Sequence, residues 1–316
     1  EDQRIIGFGI LLKNIIMKKK ILLTGSSGFL GSYILDFLKN KNYEVIKVGR
    51  SVKSDINIDL SLNKLSKIDV DYVIHVAGKA HVIPKTKEEN NKFFKVNYIG
   101  TNNLLCGLDT TKLQSIIFIS TVAVYGKEVG ELIDEKSPIL GNTPYALSKI
   151  QAEQSIIDFG ITNNIKTVVL RLPLVSGKNP PGNLSAIIEA IDKGYYFRIG
   201  KGEAKKSIIA AADVANLIPE LFDLNGVYNL TDIKHPMISE IDSIIAKKFN
   251  KRIKRIPKGL LRIIAKIGDI FSFFPFNSSR FDKLTKNLTF SNKKLFNEIK
   301  YRPSKGLSEI AKNLNN

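Results

Sequence analysis

The 316 residues carry 48 lysines and arginines against 30 aspartates and glutamates, a formal net charge of +18, with 43% apolar residues and a single cysteine, Cys106. Length and apolar content suffice for one large domain or two moderate ones around a sizeable core, and a lone cysteine excludes an internal disulfide framework. The charge comes mostly from lysines scattered along the chain, without an arginine-rich tract, zinc-finger or RNP-type pattern. Nucleic acid is therefore not expected as the ligand, whereas a cleft that attracts a small polyanion is compatible with the charge.

Residues 1–16 contain an apolar run from Ile5 to Ile16 that is too short to span a bilayer and has no small-residue cleavage site. The expectation is an upstream extension without fixed structure, the folded chain starting near Met17. Ile21-Leu22-Leu23-Thr24 then reads as a buried strand that runs into three glycines, Gly25, Gly28 and Gly31. An amphipathic helix follows, with Phe29, Leu30, Ile34, Leu35, Phe37 and Leu38 on its apolar side. Gly25 permits the turn, Gly28 lets backbone amides approach a phosphate at the helix N-terminus, and Gly31 lets the helix pack on the strand. The spacing is G-x-x-G-x-x-G, and an ordinary strand–helix turn fits it too, so a dinucleotide reading needs support elsewhere.

The second strand, Tyr43–Val48, ends at Gly49-Arg50-Ser51. Dinucleotide sites specific for NAD place an acid at this junction to bond the adenosine ribose, whereas arginine suits the 2′-phosphate of NADP through paired hydrogen bonds. With Gly49 in the acid's place and Arg50 beside it, NADP is the expected cofactor and NAD the alternative. Asp59-Leu60 falls where a short third element approaches the adenine. The next strand, Asp71–Val76, closes on the small residues Ala77-Gly78. His75, inside an apolar run, reads as a buried, hydrogen-bonded core histidine, and His81 as a loop residue open to solvent or to a substrate cleft. One long helix is expected over Glu88–Leu108, carrying Asn97, followed by a strand from Gln114 to Ser120.

Thr143-Pro144-Tyr145-Ala146-Leu147-Ser148-Lys149 opens a helix in which Tyr145 and Lys149, at i and i+4, share one face. A free phenol titrates near pH 10, and a neighbouring ammonium favours the phenolate and lowers that value. The hydroxyl of Thr121, at the end of the preceding strand, can hold a substrate oxygen beside the phenol. Alone, Y-x-x-x-K is a weak signal. After a glycine-rich first turn and a strand ending in Ser120-Thr121, it is strong.

With these pieces in this order, the chain resembles the extended short-chain dehydrogenase/reductase family of nucleotide-sugar epimerases, dehydratases and ketoreductases over roughly residues 18 to 230. The resemblance also rests on His75-Val76-Ala77-Gly78, Val96–Thr101, Val124-Tyr125-Gly126, Leu170–Gly177, Lys206–Ile209 and Asp213-Val214-Ala215. It implies an α/β Rossmann-type doubly wound parallel sheet with a small C-terminal substrate-binding lobe. The implied division is 17–177 for the NAD(P)-binding domain and 178–316 mainly for the lobe, with 206–230 returning to the core. By resemblance Tyr145 is the catalytic acid/base, Lys149 its tuner and a nicotinamide-ribose ligand, and Thr121 takes the catalytic hydroxyl place. Cofactor contacts are implied at Gly25, Ser27, Gly28, Phe29, Leu30, Gly31, Arg50, Asp59, Leu60, Ala77, Gly78, Lys79, Asn97, Ser120 and Leu172, besides Tyr145 and Lys149. Substrate contacts are implied at His81, Thr121, Val122, Asn183, Leu184 and Lys206. Neither a metal nor a nucleic-acid partner is expected; a nucleotide-diphosphate sugar, a cytoplasmic setting and a homodimer are.

Departures from the family pattern narrow the chemistry. The 4,6-dehydratases carry an Asp-Glu pair after the catalytic threonine, and Val122 and Ala123 stand there instead, unable to move protons. The GDP-fucose synthase type needs a cysteine near that strand end, and Cys106 is elsewhere. Net reduction of a 4-keto-6-deoxy (N-acetyl)hexosamine or 4-epimerisation remains, and Arg50 favours reduction. The other readings are a reductase of a non-sugar ketone and a non-catalytic NADP-binding regulator. In the tail, Lys251-Arg252-Ile253-Lys254-Arg255 precedes Leu260, Leu261, Ile263, Ile264, Ile267, Ile270 and Phe271, then Phe273-Phe274-Pro275-Phe276. The favoured reading is a helix packing its apolar face on the lobe, ahead of a membrane contact or a dimer face.

Overall fold

The computed structural model describes residues 18–41, 43–270 and 276–314. The expected upstream extension, Met17, and the aromatic residues Phe271, Phe273 and Phe274 lie outside these. The apolar run before the glycines forms β1 (Lys20–Thr24), and α1 (Phe29–Asn40) starts at Gly28. There follow β2 (Glu44–Gly49), the two-residue β3 (Ile56–Asn57) and β4 (Tyr72–His75). Beyond α2 (Lys87–Phe93) and α3 (Gly100–Leu105) come β5 (Ser115–Thr121), β6 (Gly130–Ile133), α4 (Pro144–Asn163) and β7 (Lys166–Leu172). Thr143 caps α4 by accepting from the Ala146 amide at 3.2 Å, and Pro144 occupies its first position, where no amide is needed.

The second half runs through β8 (Leu174–Ser176), α5 (Asn183–Asp192), β9 (Phe197–Ile199), β10 (Ile208–Ala210), α6 (Ala211–Leu221) and β11 (Gly226–Asn229). It ends with α7 (Ile238–Lys248), β12 (Lys254–Ile256), α8 (Lys258–Ile270), α9 (Ser278–Thr285), β13 (Leu288–Phe290), α10 (Lys293–Phe296) and α11 (Gly306–Asn313). The main sheet has seven strands in the order β11-β7-β5-β4-β1-β2-β3, and every neighbouring pair is parallel. Alternate residues of the central strands feed two cores, as a sheet covered on both faces requires. Ile21, Leu23, Ile117, Ile119 and Leu170 pack towards α1 and α6; Leu22, Val73, Ile116, Phe118 and Val169 pack towards α3 and α4. Strand order reverses beside β1, which opens a crevice at the C-terminal ends of β1 and β4, the place where such sheets bind ligands.

The segment expected as one helix over Glu88–Leu108 is three pieces: α2, a π-helical stretch Phe94–Ile99, and α3. The wider winding carries Asn97, which is 1% exposed. Its amide grips the loop after β4 on one side and Ser148 of α4 on the other. Apolar spacing is regular on both flanks, so the inserted residue leaves no mark in the pattern; such bulges gather at functional sites.

The lobe has its own small core of Leu184, Ile191, Ile208, Ile241, Ile245 and Ile310. Its strands pair only in twos, β10 with β8 and β12 with β9. The tail also returns to the main body: β13 pairs with β6, and Leu295 and Ile299 join the core against α1 and α6. Helix α8 buries Ala265 but leaves Leu260, Ile263 and Ile267 exposed. No helix among the described residues is long and apolar enough to cross a membrane.

Candidate active site

The glycine turn is fixed by close approach. Gly25 has φ +71°, and a Cβ there would come within 2.7 Å of the Ala77 amide nitrogen. A Cβ on Gly31 would run into the Gly25 carbonyl. Only glycine at both positions lets β1, the end of β4 and α1 meet. Ser27 and Gly28 stay exposed above this junction. The first turn of α1 has no side-chain cap and no acidic residue, so its amides and the positive end of its dipole face outward for an anion. These residues fit the pyrophosphate of a dinucleotide.

A buried chain of hydroxyls and one imidazole braces the crevice from below. The Thr24 hydroxyl accepts from the amides of Val76 and Ala77 (3.2 and 3.1 Å), which directs its own proton to His75 Nδ1 at 2.6 Å. His75 Nε2 then donates to Thr101 Oγ1 at 2.9 Å, and that hydroxyl donates to the Asn97 carbonyl at 2.6 Å. The network assigns the Nε2–H tautomer. Burial, and secondarily the charge of Lys149, lowers the His75 pKa to about 3. The ring stays neutral and structural. Asn97 spends its amide on the protein: Oδ1 accepts from the Lys79 amide (2.7 Å), while Nδ2 donates to the Lys79 carbonyl (3.0 Å) and Ser148 Oγ (2.9 Å).

At the far end of Arg50's strand the guanidinium is exposed, 3.9 Å from Asp59 Oδ2. Asp59 Oδ1 accepts from the amide and hydroxyl of Ser61 (2.9 and 2.7 Å), the hydroxyl bond being the main reason that its pKa is lowered. Leu60 is buried and its carbonyl accepts from Asn103 at 2.8 Å. Arg50 thus projects beyond the end of β2 with one long, weak ion pair and is available for a phosphate. Phe29 packs edge-on against Tyr33 at 5.8 Å, and both rings lie against Gly177 after β8; Leu30 and Leu172 are buried core residues.

Thr121 ends β5 and its hydroxyl accepts from the Ala123 amide at 3.2 Å, starting the 3-10 turn Val122–Tyr125. The same hydroxyl shares a hydrogen bond with the Tyr145 phenol. Burial pushes that phenol up and the Thr121 bond pulls it down, and burial wins. The sequence reading has the Lys149 ammonium lowering it. Here the ammonium donates instead to the Ile119 carbonyl at 2.8 Å and lies 4.4 Å from the centre of the Phe118 ring. Lys149 is itself lowered to about 8 by burial, against the raising field of Glu153.

Glu153 is the part that motif reading missed. Tyr145, Lys149 and Glu153 descend one face of α4 at i, i+4 and i+8, a spacing that was available in the sequence. Glu153 is 4% exposed and accepts from Ser120 Oγ and from Arg171 of β7, through Nε at 3.1 Å and Nη2 at 2.6 Å. Arg171 Nη1 donates to the Tyr125 hydroxyl at 3.0 Å, and that hydroxyl donates to Asn229 Oδ1 at 2.8 Å. A closed polar network thus sits directly behind Thr121 and Lys149.

On the lobe side, Asn183 is exposed at the start of α5 and Leu184 is fully buried in the lobe core. His81 has φ 59° and its ring lies against Gly182, the residue before α5. Lys206 donates to the carbonyls of Lys283 (2.9 Å) and Lys286 (3.0 Å) at the end of α9. Burial, then the nearby Lys283, lowers its pKa.

A profile of the NAD dependent epimerase/dehydratase family matches residues 21–230. The UDP-glucose 4-epimerase of Vibrio cholerae is 26% identical over 264 residues, 76% of this chain and 79% of that one. An N-acetyl-alpha-D-glucosaminyl-diphospho-ditrans,octacis-undecaprenol 4-epimerase of Escherichia coli O157:H7 is 25% identical over 273 residues, 78% of each. Among solved structures, a UDP-glucose 4-epimerase of Thermotoga maritima with UDP-glucose superposes at TM-score 0.71 and 20% identity, covering 94% of this chain and 98% of that one. RMD from Pseudomonas aeruginosa complexed with NADPH does so at TM-score 0.69 and 21% identity, covering 94% and 100%. These structural likenesses establish the fold.

Proposed function

The chain belongs to the NAD dependent epimerase/dehydratase family, and from that membership we propose that it is an NADPH-dependent reductase of a nucleotide-diphosphate 4-keto-6-deoxy (N-acetyl)hexosamine. The observation that carries the reading is Arg50, exposed at the end of β2 with Gly49 where an acid would select NAD. A net reductase must exchange its spent cofactor, and a 2′-phosphate contact suits a freely exchanging NADPH. The RMD neighbour is complexed with NADPH.

The chemistry follows from the hydroxyl pair. Thr121 hydrogen-bonds the substrate's carbonyl oxygen, and Tyr145 gives that oxygen its phenolic proton as the C4–O bond becomes single. Lys149, one turn along α4 with its ammonium resting on the Ile119 carbonyl, is the cation proposed to turn towards the phenolate left behind, and a proton from solvent restores the phenol. The nicotinamide, when bound, supplies the hydride that ends on C4. The raised phenol favours the protonated form needed at the start of a reduction. Val122 and Ala123 offer no group for dehydration at C5 and C6. Asn183, at the uncapped start of α5, and Lys206 are the lobe residues proposed to face the diphosphate.

The second reading is a nucleotide-sugar 4-epimerase, favoured by the relatives named above. Two measurements on freshly purified protein separate them: identification of any cofactor released on denaturation, and titration with NADPH and NADH. An empty site that binds NADPH at least about tenfold better, with the preference lost in Arg50→Ala, supports the reductase. Retained NAD and no response to NADPH sinks it. NADPH oxidation is then followed with a UDP-4-keto-6-deoxy-N-acetylhexosamine.

A further inference from the structure

Helix α8 has three faces rather than two. Ala265 and Gly268 are buried, Leu261 and Ile264 are half-buried, and Arg262 lies 5.6 Å from the centre of the Phe281 ring, so one side is docked against α9. A second side is apolar and open: Leu260, Ile263 and Ile267 fall at i, i+3 and i+7 and are 52%, 60% and 47% exposed. Three large aliphatic side chains in one line on a helix already attached to the body mark a contact left unmade. The third side, together with the segment that leads into the helix, is basic. From 251 to 268 the chain has Lys251, Arg252, Lys254, Arg255, Lys258, Arg262 and Lys266 and no acidic residue. All seven are exposed and, among the described residues, none takes part in a salt bridge, although Lys254 and Arg262 lie over the rings of Phe197 and Phe281. The helix's one carboxylate, Asp269, is occupied at its far end by the amide (2.9 Å) and hydroxyl (2.5 Å) of Ser278.

We propose that residues 251–268 are a docking surface for an anionic lipid bilayer, with Leu260, Ile263 and Ile267 inserted at the headgroup–acyl boundary and the cations that do not stack on α9 in the headgroup layer. The charge decides among occupants. A second copy meeting this face across a two-fold axis would set the same cations, with no acidic side chain between them, against one another. An anionic surface satisfies them, at about fivefold in affinity per cation. The stripe from Leu260 to Ile267 is about 10 Å long, so the helix lies in the interface plane and does not span. The proposal does not depend on the reaction assigned above.

The test is flotation of the full chain with vesicles of phosphatidylcholine alone or with about 30% phosphatidylglycerol, at low and high salt. The expected result is flotation with the anionic vesicles only, reversed by salt. The triple variant Leu260→Ser/Ile263→Ser/Ile267→Ser weakens it at least about tenfold with an unchanged thermal midpoint. The charge variant Lys254→Gln/Arg255→Gln/Lys258→Gln/Lys266→Gln, which leaves the apolar stripe intact, weakens it about fivefold per residue changed. The proposal is overturned if the wild type stays unbound on anionic vesicles at low salt, if neutral vesicles bind it equally, or if both variants float like wild type. Failure to float, together with dissociation of a wild-type oligomer by the serine variant, assigns the face to a second copy.

Discussion

The corner beneath Tyr145 and the C-terminal lobe are built on opposite principles. In the corner, Glu153, Arg171, Ser120, Tyr125 and Asn229 satisfy one another on elements of the seven-stranded sheet and the helix packed upon it. In the lobe, strands pair in twos and the last helix is tied down by two carboxylates. Asp213 accepts from the amides of Ser304 (3.2 Å) and Lys305 (3.0 Å), and Asp232 from that of Gly306 (2.7 Å). Among the described residues, Asp232 Oδ1 has no hydrogen-bond partner. Proton transfer needs groups held to a fraction of an ångström, and the over-determined backbone of the corner suits the role proposed for it. Substrate choice tolerates a looser scaffold, which is what the lobe offers for the part proposed for Asn183 and Lys206.

If that contrast is right, the largest effects come from the corner. Tyr145→Phe removes the proposed proton donor while keeping the ring, and turnover should fall by about a thousandfold with cofactor affinity nearly unchanged. Single-turnover rates and NADPH titration together measure this; an active Phe variant would take the chemistry away from α4. Next in size is Glu153→Gln. It keeps the volume but leaves the Arg171 cation buried without its counter-charge, which costs about 3–5 kcal/mol, read as a lower thermal midpoint. The lost carboxylate also stops raising Lys149, whose pKa of about 8 then falls further. The lysine-dependent limb of the pH–rate profile should move to lower pH. A stable variant with an unmoved profile would make the network incidental to the site.

The sequence announces the corner in its local parts and hides its wiring. The β1 strand, its glycines and α1 are contiguous, and Tyr145 and Lys149 are one turn apart, so spacing alone carries them. Glu153 lies on the same face, yet its meaning depends on Arg171, which reaches it from β7, the strand that follows the helix. Asn97 is likewise masked by a π-helical insertion that leaves the flanking periodicity intact. In the tail, Leu295 and Ile299 rejoin the main core through contacts with distant elements, and no local pattern encodes that return. The exposed line on α8 is a third kind of case: amphipathic spacing shows a helix with an apolar side, and only packing shows which part of that side is covered.

The smallest effect probes the lobe's tether. Burial raises Asp232 from 3.8 to about 7, with the charge of Asp213 adding to the rise and the Gly306 amide opposing it. Between those values the folded chain binds more protons here than the unfolded chain does, so this group's contribution to stability falls as pH rises from about 4 to 7 and stays low above it. Asparagine copies the protonated form and can still accept from the Gly306 amide. Asp232→Asn should therefore raise stability above pH 7, by no more than about 4 kcal/mol, and change little near pH 4, as read by thermal midpoints across that range. A gain of equal size at both ends would mean that packing, not charge, is what the substitution relieves. A loss at neutral pH would mean that the carboxylate's bond to Gly306 outweighs its burial, and the lobe would then be tied as firmly as the corner.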